Sequence, residues 1–203
     1  MKFRSLLFSL SLFLILLNGL LIPSVHAQSG AFLYGDPLPD APELSARGEY
    51  NVGVQTINLV NNNQVDIINS KDGKDPLYDR PLTIEVWYPA SISDNTKTVV
   101  YDEVMGTAND TLRPLTPFTF KGRAYRDATP STGSKFPLIV VSHGYVGSRY
   151  LMTYLTENLA SKGYIVVAID HTDSTFKDAN AFQSTLLNRP KDIRFIINEM
   201  EKL

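Results

Sequence analysis

The feature that most constrains the fold is the stretch from residue 136 to residue 149, which reads FPLIVVSHGYVGSR. Residues 138–141 are an unbroken apolar run rich in β-branched side chains. Because so short an apolar run suits a strand that is buried on both faces, it predicts a strand of a parallel sheet. The run ends at Ser142, His143 and Gly144, which predict a tight turn at the carboxyl end of that strand. In open α/β sheets this is the edge at which ligands bind.

The residues after this turn predict a helix and a second strand. Between residues 150 and 159 large apolar side chains recur three and four residues apart, which is typical of an amphipathic helix. Gly163 follows at a position where a helix often ends in a left-handed residue. Residues 164–170 predict another buried strand, so strand, helix and strand form one crossover of parallel strands. We expect the strand at 165–169 to be the last of the sheet, with its edge exposed.

The chain before and after this unit predicts further strands and a helix. Residues 52–60 alternate as a half-buried strand does, residues 65–68 could return as the second arm of a hairpin, and residues 82–88 alternate again. Near the end of the sequence, isoleucines and a methionine recur at helical spacing from residue 193 to residue 200. They predict an amphipathic helix with Pro190 near its first turn.

Residues 91–134 are the least regular part of the sequence and are long for a plain connection. One interpretation is a loop that overhangs the ligand edge and shapes a pocket. The other is a surface excursion that only packs on the domain. The sequence favours neither interpretation over the other.

Several of these segments together resemble one branch of the α/β-hydrolases. The motifs are YxVGV at 50–54, EVWYP at 85–89, SHG at 142–144, LASxGYIV at 159–166 and DHxDS at 170–174. That branch contains the secreted platelet-activating-factor acetylhydrolases and the predicted dienelactone hydrolases. The resemblance implies an α/β-hydrolase fold for residues 50–203, mostly a parallel sheet with antiparallel N-terminal strands. It also implies hydrolysis of a small ester or lipid substrate, such as a short-acyl phospholipid or a dienelactone, without a cofactor.

The resemblance also assigns roles around the turn. In this branch the residue after His-Gly donates its backbone N–H to the oxyanion of the tetrahedral intermediate, and that residue is Tyr145 here. Such a fixed donor can lower the barrier by about 3 kcal/mol. Gly144 would shape the oxyanion turn, and His143 would brace the loop through a ring N–H rather than act as a base. The alternative is that Gly144 only makes a tight turn.

The nucleophile of an α/β-hydrolase lies in Gly-x-Ser-x-Gly, and no serine of the 203-residue sequence lies in that motif. In this branch the motif follows the strand after the last predicted helix. We therefore expect the nucleophile, the acid and the catalytic histidine beyond Leu203, and a chain truncated before the nucleophile elbow. The alternative is a non-catalytic secreted α/β binding module or an inactive fragment.

Other residues of the sequence predict no second triad. Ser142 and His143 are adjacent on a strand, so their side chains point to opposite faces and are poorly placed to share a proton. Asp170, His171 and Ser174 fall in one loop, where such residues usually form local turn hydrogen bonds. With no cysteine and no acidic residues suitably spaced around the histidines, we expect no metal site. The net charge of −2 gives no reason to expect a nucleic acid partner.

The first residues predict a cleavable signal peptide at 1–27. Lys2 and Arg4 precede an apolar segment, and small residues before Gln28 suit cleavage near Ala27. A membrane anchor is the alternative, but Pro23 interrupts the apolar segment. We therefore expect a secreted or periplasmic protein without a stable membrane anchor. Residues 28–49 are rich in proline, glycine and aspartate and predict an irregular leader.

Overall fold

The computed structural model describes Asp36 and residues 43–93, 96–179 and 182–202. The predicted signal peptide and most of the predicted leader lie outside these residues. In chain order the elements are a 3-10 turn (Glu43–Ser45), β1 (Val52–Val65), β2 (Leu77–Ser91), β3 (Val100–Met105), β4 (Thr116–Lys121), β5 (Tyr125–Arg126), β6 (Thr129–Pro130), β7 (Leu138–Ser142), α1 (Thr153–Ser161), β8 (Ile165–Asp170) and α2 (Phe182–Met200).

A long antiparallel hairpin forms one side of the main sheet. β1 pairs with β2 from Val52 opposite Pro89 to Val65 opposite Leu77, with one irregularity near residues 61–64. The predicted return arm at 65–68 is therefore wrong. Val65 is the last residue of β1, and the return arm begins only at Leu77. The polar residues between them form turns, because they supply few side chains that a buried strand would need.

The main sheet has the order β5-β1-β2-β8-β7, with β6 on the end of β2. β2 and β8 are antiparallel, whereas β7 and β8 are parallel, as the crossover predicts. The expectation that residues 165–169 form the last strand is wrong, because β8 lies between β2 and β7. The side chains of Val166, Val167 and Ile169 are fully buried for this reason. Within the described residues, β7 pairs on one side only.

Each face of the sheet carries its own apolar core. On one face Val54, Trp87, Val166 and Ala168 pack with Ala160 of α1. On the other face the apolar side chains of β2 and β8 pack with α2, and the buried members of that core are Leu82, Ile84, Val86, Tyr88, Ala90, Val167, Ile169 and Ile196. Burial of one large apolar side chain contributes roughly 1.5–3 kcal/mol, so these alternating strands account for much of the stability of the sheet.

Both helices differ from the sequence-based expectation. In α1 the apolar residue Tyr154 is 42% exposed, whereas Thr156 and Glu157 are buried. α2 begins at Phe182, so Pro190 lies inside it and not near its first turn. Gly163 does have the predicted positive φ, at 93°. Among the described residues no helix is both long and apolar enough to cross a membrane.

Residues 91–134 contain structure of their own. β3 and β4 form a separate antiparallel pair, and Tyr101 of β3 is buried against the sheet. The Tyr101 hydroxyl accepts a hydrogen bond from Trp87 Nε1 (2.8 Å) and donates one to Glu157 of α1 (2.9 Å). The same Glu157 carboxylate accepts the backbone N–H groups of Arg123 and Ala124. Glu157 thereby joins the start of β3 and the residues just after β4 to α1.

Candidate active site

The turn that follows β7 is held together at Gly147. Its N–H donates to Ser174 O (3.3 Å), and its carbonyl accepts the N–H of Phe176 (3.0 Å). A Cβ at Gly147 would lie 2.8 Å from His143 Nδ1 and 3.1 Å from Gly144 O. Because that space is already filled, glycine is required at this position.

Gly144 is different. A Cβ there would meet no atom within 4 Å, and Gly144 does not adopt a positive φ. A side chain at Gly144 thus meets open space, and Gly147 is the glycine of this turn at which a Cβ would clash. The peptide bond between Tyr145 and Val146 is cis.

His143 is buried beneath the turn and both of its ring nitrogens are engaged. Nε2 accepts the backbone N–H of His171 (3.3 Å), so Nδ1 carries the proton and donates to Gly144 O at 2.6 Å. Burial is the main cause that lowers the pKa of His143 to about 4. The ring is therefore neutral near pH 7 and joins the turn to the end of β8.

Arg189 of α2 binds the same turn from the other side. Its guanidinium donates to the carbonyl oxygens of His143 and Gly144, the latter at 2.9 Å, and to Ser174 Oγ at 3.1 Å. A planar guanidinium can bind two neighbouring carbonyls at once, so it fixes the orientation of these peptide groups. Sequence analysis missed Arg189 because α2 was expected to begin after it.

An apolar cleft of about 730 Å³ opens beside the turn. Tyr145 and Val146 line one side, and the other side is formed by residues of the 91–134 segment and by Phe176. A smaller cavity of about 210 Å³ shares Met105, Phe118 and Phe176 with it. The segment therefore does overhang this edge of the sheet, as the first of its two interpretations expects.

The family is shown by the second half of the sequence. The sequence model of the family "Platelet-activating factor acetylhydrolase, isoform II" matches residues 92–202, which are more than half of the chain. The chain belongs to that family. The match includes the turn, the 91–134 segment almost in full, and α2. It confirms the platelet-activating-factor acetylhydrolase part of the resemblance.

Individual relatives and a solved structure agree with this family. A platelet-activating factor acetylhydrolase of Canis lupus familiaris is 45% identical over 56 residues, and that of Bos taurus is 40% identical over 58 residues. These matches cover 25% and 26% of this chain but only 13% of each relative. A ferulic acid esterase from Streptomyces cinnamoneus superposes with a TM-score of 0.54 and 26% identity, over 76% of this chain and 48% of the esterase. The α/β-hydrolase fold predicted from the sequence is thus confirmed.

Tyr145, the residue predicted to donate to the oxyanion, lines the cleft. Tyr145 is 45% exposed, and its ring packs edge-to-face on Phe182 with the ring centroids 5.3 Å apart. The Tyr145 side chain therefore contacts α2 and the cleft, whereas the role predicted for it concerns only its backbone N–H. That role stays a prediction, as do the roles of Gly144 and His143.

In the loop after β8, local turn hydrogen bonds are formed by Ser174, whereas the side chains of Asp170 and His171 bond other elements. The backbone N–H and the hydroxyl of Ser174 both bond His171 O, at 3.0 and 3.3 Å. Arg149 is paired on both sides: its backbone N–H donates to Asp170 Oδ1 (2.6 Å) and its Nε lies 3.2 Å from Glu85. These contacts join the turn to β8 and β2. No cluster of three or more potential metal ligands occurs in the described residues.

Proposed function

We propose that this chain carries the oxyanion half of a secreted serine hydrolase that cleaves carboxylic esters, with its nucleophile, acid and catalytic histidine encoded beyond Leu203. The substrate class that we propose is a short-acyl phospholipid or a similar small ester. Membership of the family and similarity to an esterase support the reaction class. No cofactor is needed for acyl transfer of this kind.

The observation that carries the proposal is the position of the turn between a rigid clamp and an apolar cleft. His143 and Arg189 hold the carbonyl groups of the turn on its inner side. On its other side Tyr145 and Val146 line the cleft. An ester that lies in this cleft would have its carbonyl group beside the peptide N–H that the family resemblance assigns to Tyr145. A donor fixed in advance stabilises the oxyanion without reorganising during the reaction.

The lining of the cleft is suited to bind an apolar acyl or alcohol group of the substrate. Met105 and Phe118 line its wall on the 91–134 segment, and Phe176 lines it on the loop after β8. The smaller cavity is lined by the same three side chains together with five others. Apolar side chains with few polar groups are typical of sites that bind uncharged organic groups. In the proposed enzyme, this wall selects the length of the acyl chain.

The coding sequence after Leu203 tests the proposal directly. We expect a Gly-x-Ser-x-Gly motif within about a hundred residues, since the elbow follows the next strand of the fold. Protein expressed from the longer sequence should hydrolyse p-nitrophenyl acetate, and a serine-to-alanine change in that motif should abolish turnover. A continuation without the motif would leave the binding-module alternative.

Tyr145→Phe in the longer protein separates side chain from backbone. Because the backbone donor is retained, kcat should stay within about threefold of the parent value. Phe118→Ala removes an aromatic ring from the wall of the cleft and so enlarges the cleft. This variant should prefer p-nitrophenyl esters with longer acyl chains than the parent protein does. If Tyr145→Phe lowered kcat by a hundredfold, the backbone assignment would be wrong.

Secretion is proposed from the sequence of residues 1–27. Expression of the whole chain with an affinity tag at its C-terminus should yield extracytoplasmic protein whose N-terminus lies near Gln28. A cell-associated product that retains Met1 would contradict this proposal.

A further inference from the structure

The smaller cavity beside the cleft contains one carboxylate in a lining that is otherwise almost entirely apolar. Glu103 of β3 lines this cavity and is only 8% exposed, and Ser148, a second polar residue of the lining, is also buried. The other residues of the lining are Met105, Phe118, Phe120, Tyr150, Leu151 and Phe176. The ester hydrolysis proposed above uses the apolar wall and gives no role to Glu103.

The carboxylate of Glu103 lacks a hydrogen-bond donor on one of its oxygens. Oε1 accepts the backbone N–H of Val104 at 2.8 Å, whereas Oε2 is buried and accepts no hydrogen bond within the described residues. A buried oxygen without a donor costs free energy, and a bound group that supplies the donor recovers this cost. Because the terminal torsion of a glutamate side chain is broad, the carboxylate can turn an oxygen toward the cavity. Glu103 thus offers an unused acceptor to a ligand there.

The aromatic rings of the cavity favour a positively charged donor over a neutral one. Four of the residues that line it are aromatic, and the face of an aromatic ring attracts a cation. The structure contains one such contact at the edge of this lining, since the guanidinium of Arg149 lies 4.3 Å from the centroid of the Tyr150 ring. That guanidinium is paired with Glu85 and Asp170, so its charge is already balanced by carboxylates other than Glu103.

The walls of this cavity do not depend on the free edge of β7. β3 is anchored by Tyr101, whose hydroxyl bonds Trp87 of β2 and Glu157 of α1. α1 packs on β8, β2 and β1, which lie on the opposite side of β7 from its free edge. A further strand beside β7 would therefore leave the β3–β4 pair and the start of α1, which form the cavity, in place.

We propose that this cavity binds a small alkylammonium ion that carries N–H groups, with Glu103 as its counter-ion. Drug-sized ligands occupy pockets of about 300–1,000 Å³, so a cavity of about 210 Å³ accommodates a short alkylammonium and not a larger molecule. One N–H of the ligand donates to Glu103, and its alkyl carbons contact Met105 and Phe118. Ser148 Oγ accepts the N–H of Tyr150 (3.2 Å) and retains a second lone pair for another N–H of the ligand.

The unused acceptor also distinguishes between two kinds of ammonium ion. A primary ammonium supplies both the charge and the N–H that Glu103 lacks. A trimethylammonium group supplies the charge alone, so the carboxylate oxygen stays without a donor. We therefore expect the cavity to select primary over quaternary ammonium ions.

Titration of the 203-residue chain with three probes of equal alkyl length tests this site. The probes are butylammonium, butyltrimethylammonium and 1-butanol, and ¹H–¹⁵N correlation spectra at pH 7 give both the Kd and the residues that respond. Butylammonium should shift the amides of residues 103–105 and 148–151 and bind at least about tenfold more tightly than the other two, since a hydrogen bond to a charged group contributes that much. Equal affinities for butylammonium and butyltrimethylammonium, or no binding of butylammonium, would overturn the proposal.

Variants at Glu103 and at its neighbour separate this contact from general electrostatics. Glu103→Gln keeps the shape of the side chain and should weaken butylammonium binding by at least about tenfold, while 1-butanol binding stays within about twofold. Asp102→Asn is the matched control, because Asp102 is exposed on the same strand and does not line the cavity. It should leave both affinities within about twofold.

A lysine of the chain is the competing partner for Glu103. Lys177 lines a separate surface cleft together with Glu103. Lys177→Ala should leave butylammonium binding within about twofold, and a tenfold gain would identify Lys177 as the natural counter-ion and overturn the proposal. Equal losses in Glu103→Gln and Asp102→Asn would overturn it as well. A missing Gly-x-Ser-x-Gly after Leu203 would affect only the function proposed above.

Discussion

Arg189 Nη2 lies 2.9 Å from Gly144 O, which joins the middle of α2 to the turn after β7. The same guanidinium also bonds the His143 carbonyl. Gly144 O also accepts a hydrogen bond from His143 Nδ1, so Arg189 is the donor that the two neighbouring carbonyls share. The orientation of the next peptide group, which includes the N–H of Tyr145, therefore depends on a side chain that is 44 residues further along the chain.

Removal of this clamp should loosen the turn while leaving the sheet intact. Arg189→Ala should raise the amide hydrogen exchange rates of residues 144–147 by at least about tenfold, because charge-assisted hydrogen bonds contribute about 1.5–3 kcal/mol. Arg189→Lys should have an intermediate effect, since an ammonium cannot hold two carbonyls in the same fork geometry. Arg194→Ala is the matched control, because Arg194 is exposed on the same helix. Equal exchange in Arg189→Ala and Arg194→Ala would refute the clamp.

Substitution by alanine should have different effects on catalysis at the two glycines of the turn, Gly144 and Gly147. Gly147→Ala puts a Cβ 2.8 Å from His143 Nδ1, so the imidazole must move and its bond to Gly144 O is weakened. Gly144→Ala has open space and should be tolerated. In the longer protein we expect a loss in kcat of about a hundredfold for Gly147→Ala, comparable to the loss of one oxyanion donor, and less than threefold for Gly144→Ala. The reverse order would show that Gly144 is the position that orients the donor.

Glu157 should govern the attachment of the 91–134 segment. Glu157→Ala leaves the Tyr101 hydroxyl and two backbone N–H groups without their acceptor, at a cost of about 3 kcal/mol. Glu157→Gln keeps one side-chain oxygen and should cost about 1 kcal/mol. Urea denaturation followed by the fluorescence of Trp87 measures both, because this single tryptophan is buried and bonds Tyr101. A Glu157→Ala protein as stable as the parent would show that the segment is held elsewhere.

The sequence predicts the part of the fold that apolar side chains encode. β7 and β8 are marked by continuous apolar runs, and the alternation in β2 is equally plain, so the crossover and its turn follow from pattern alone. The order of the strands does not, because pairing of β8 with β2 joins residues about 80 positions apart. That pairing depends on tertiary packing, which the local pattern does not report.

The missed half of α2 has a different cause. Its buried face carries Ser184, Asn188 and Asp192, which are polar and so leave no apolar periodicity. These residues are buried because each has a polar partner: Ser184 donates to Asp173 (2.7 Å), Asn188 donates to Ser184 (3.0 Å) and Asp192 binds Arg80. Such partners offset the free energy that burial of a polar group costs. The partners come from distant parts of the sequence, so no local signal pointed to Arg189 or to the pair of His171 and Asp192.

Acidification should destabilise the domain through the buried histidines. The pKa of His143 is lowered by burial to about 4, below the ordinary value of 6.5 that it regains on unfolding, and the pKa of His171 is lowered as well. Between about pH 4 and pH 6.5 the unfolded chain binds more protons at His143 than the folded chain does. The free energy of unfolding therefore falls as the pH falls through this range. The contribution of His143 is complete above about pH 6.5 and is lost toward pH 4.

For His143 the expected size of this effect is at most about 1.4 kcal/mol per pH unit and about 3 kcal/mol in total. Urea denaturation from pH 7 to pH 5 measures the slope. His143→Asn removes the titrating group while an amide can still donate to Gly144 O, so its slope should be smaller by about 1 kcal/mol per pH unit. If the parent and His143→Asn lose stability equally over this range, His143 is not held neutral in the folded protein.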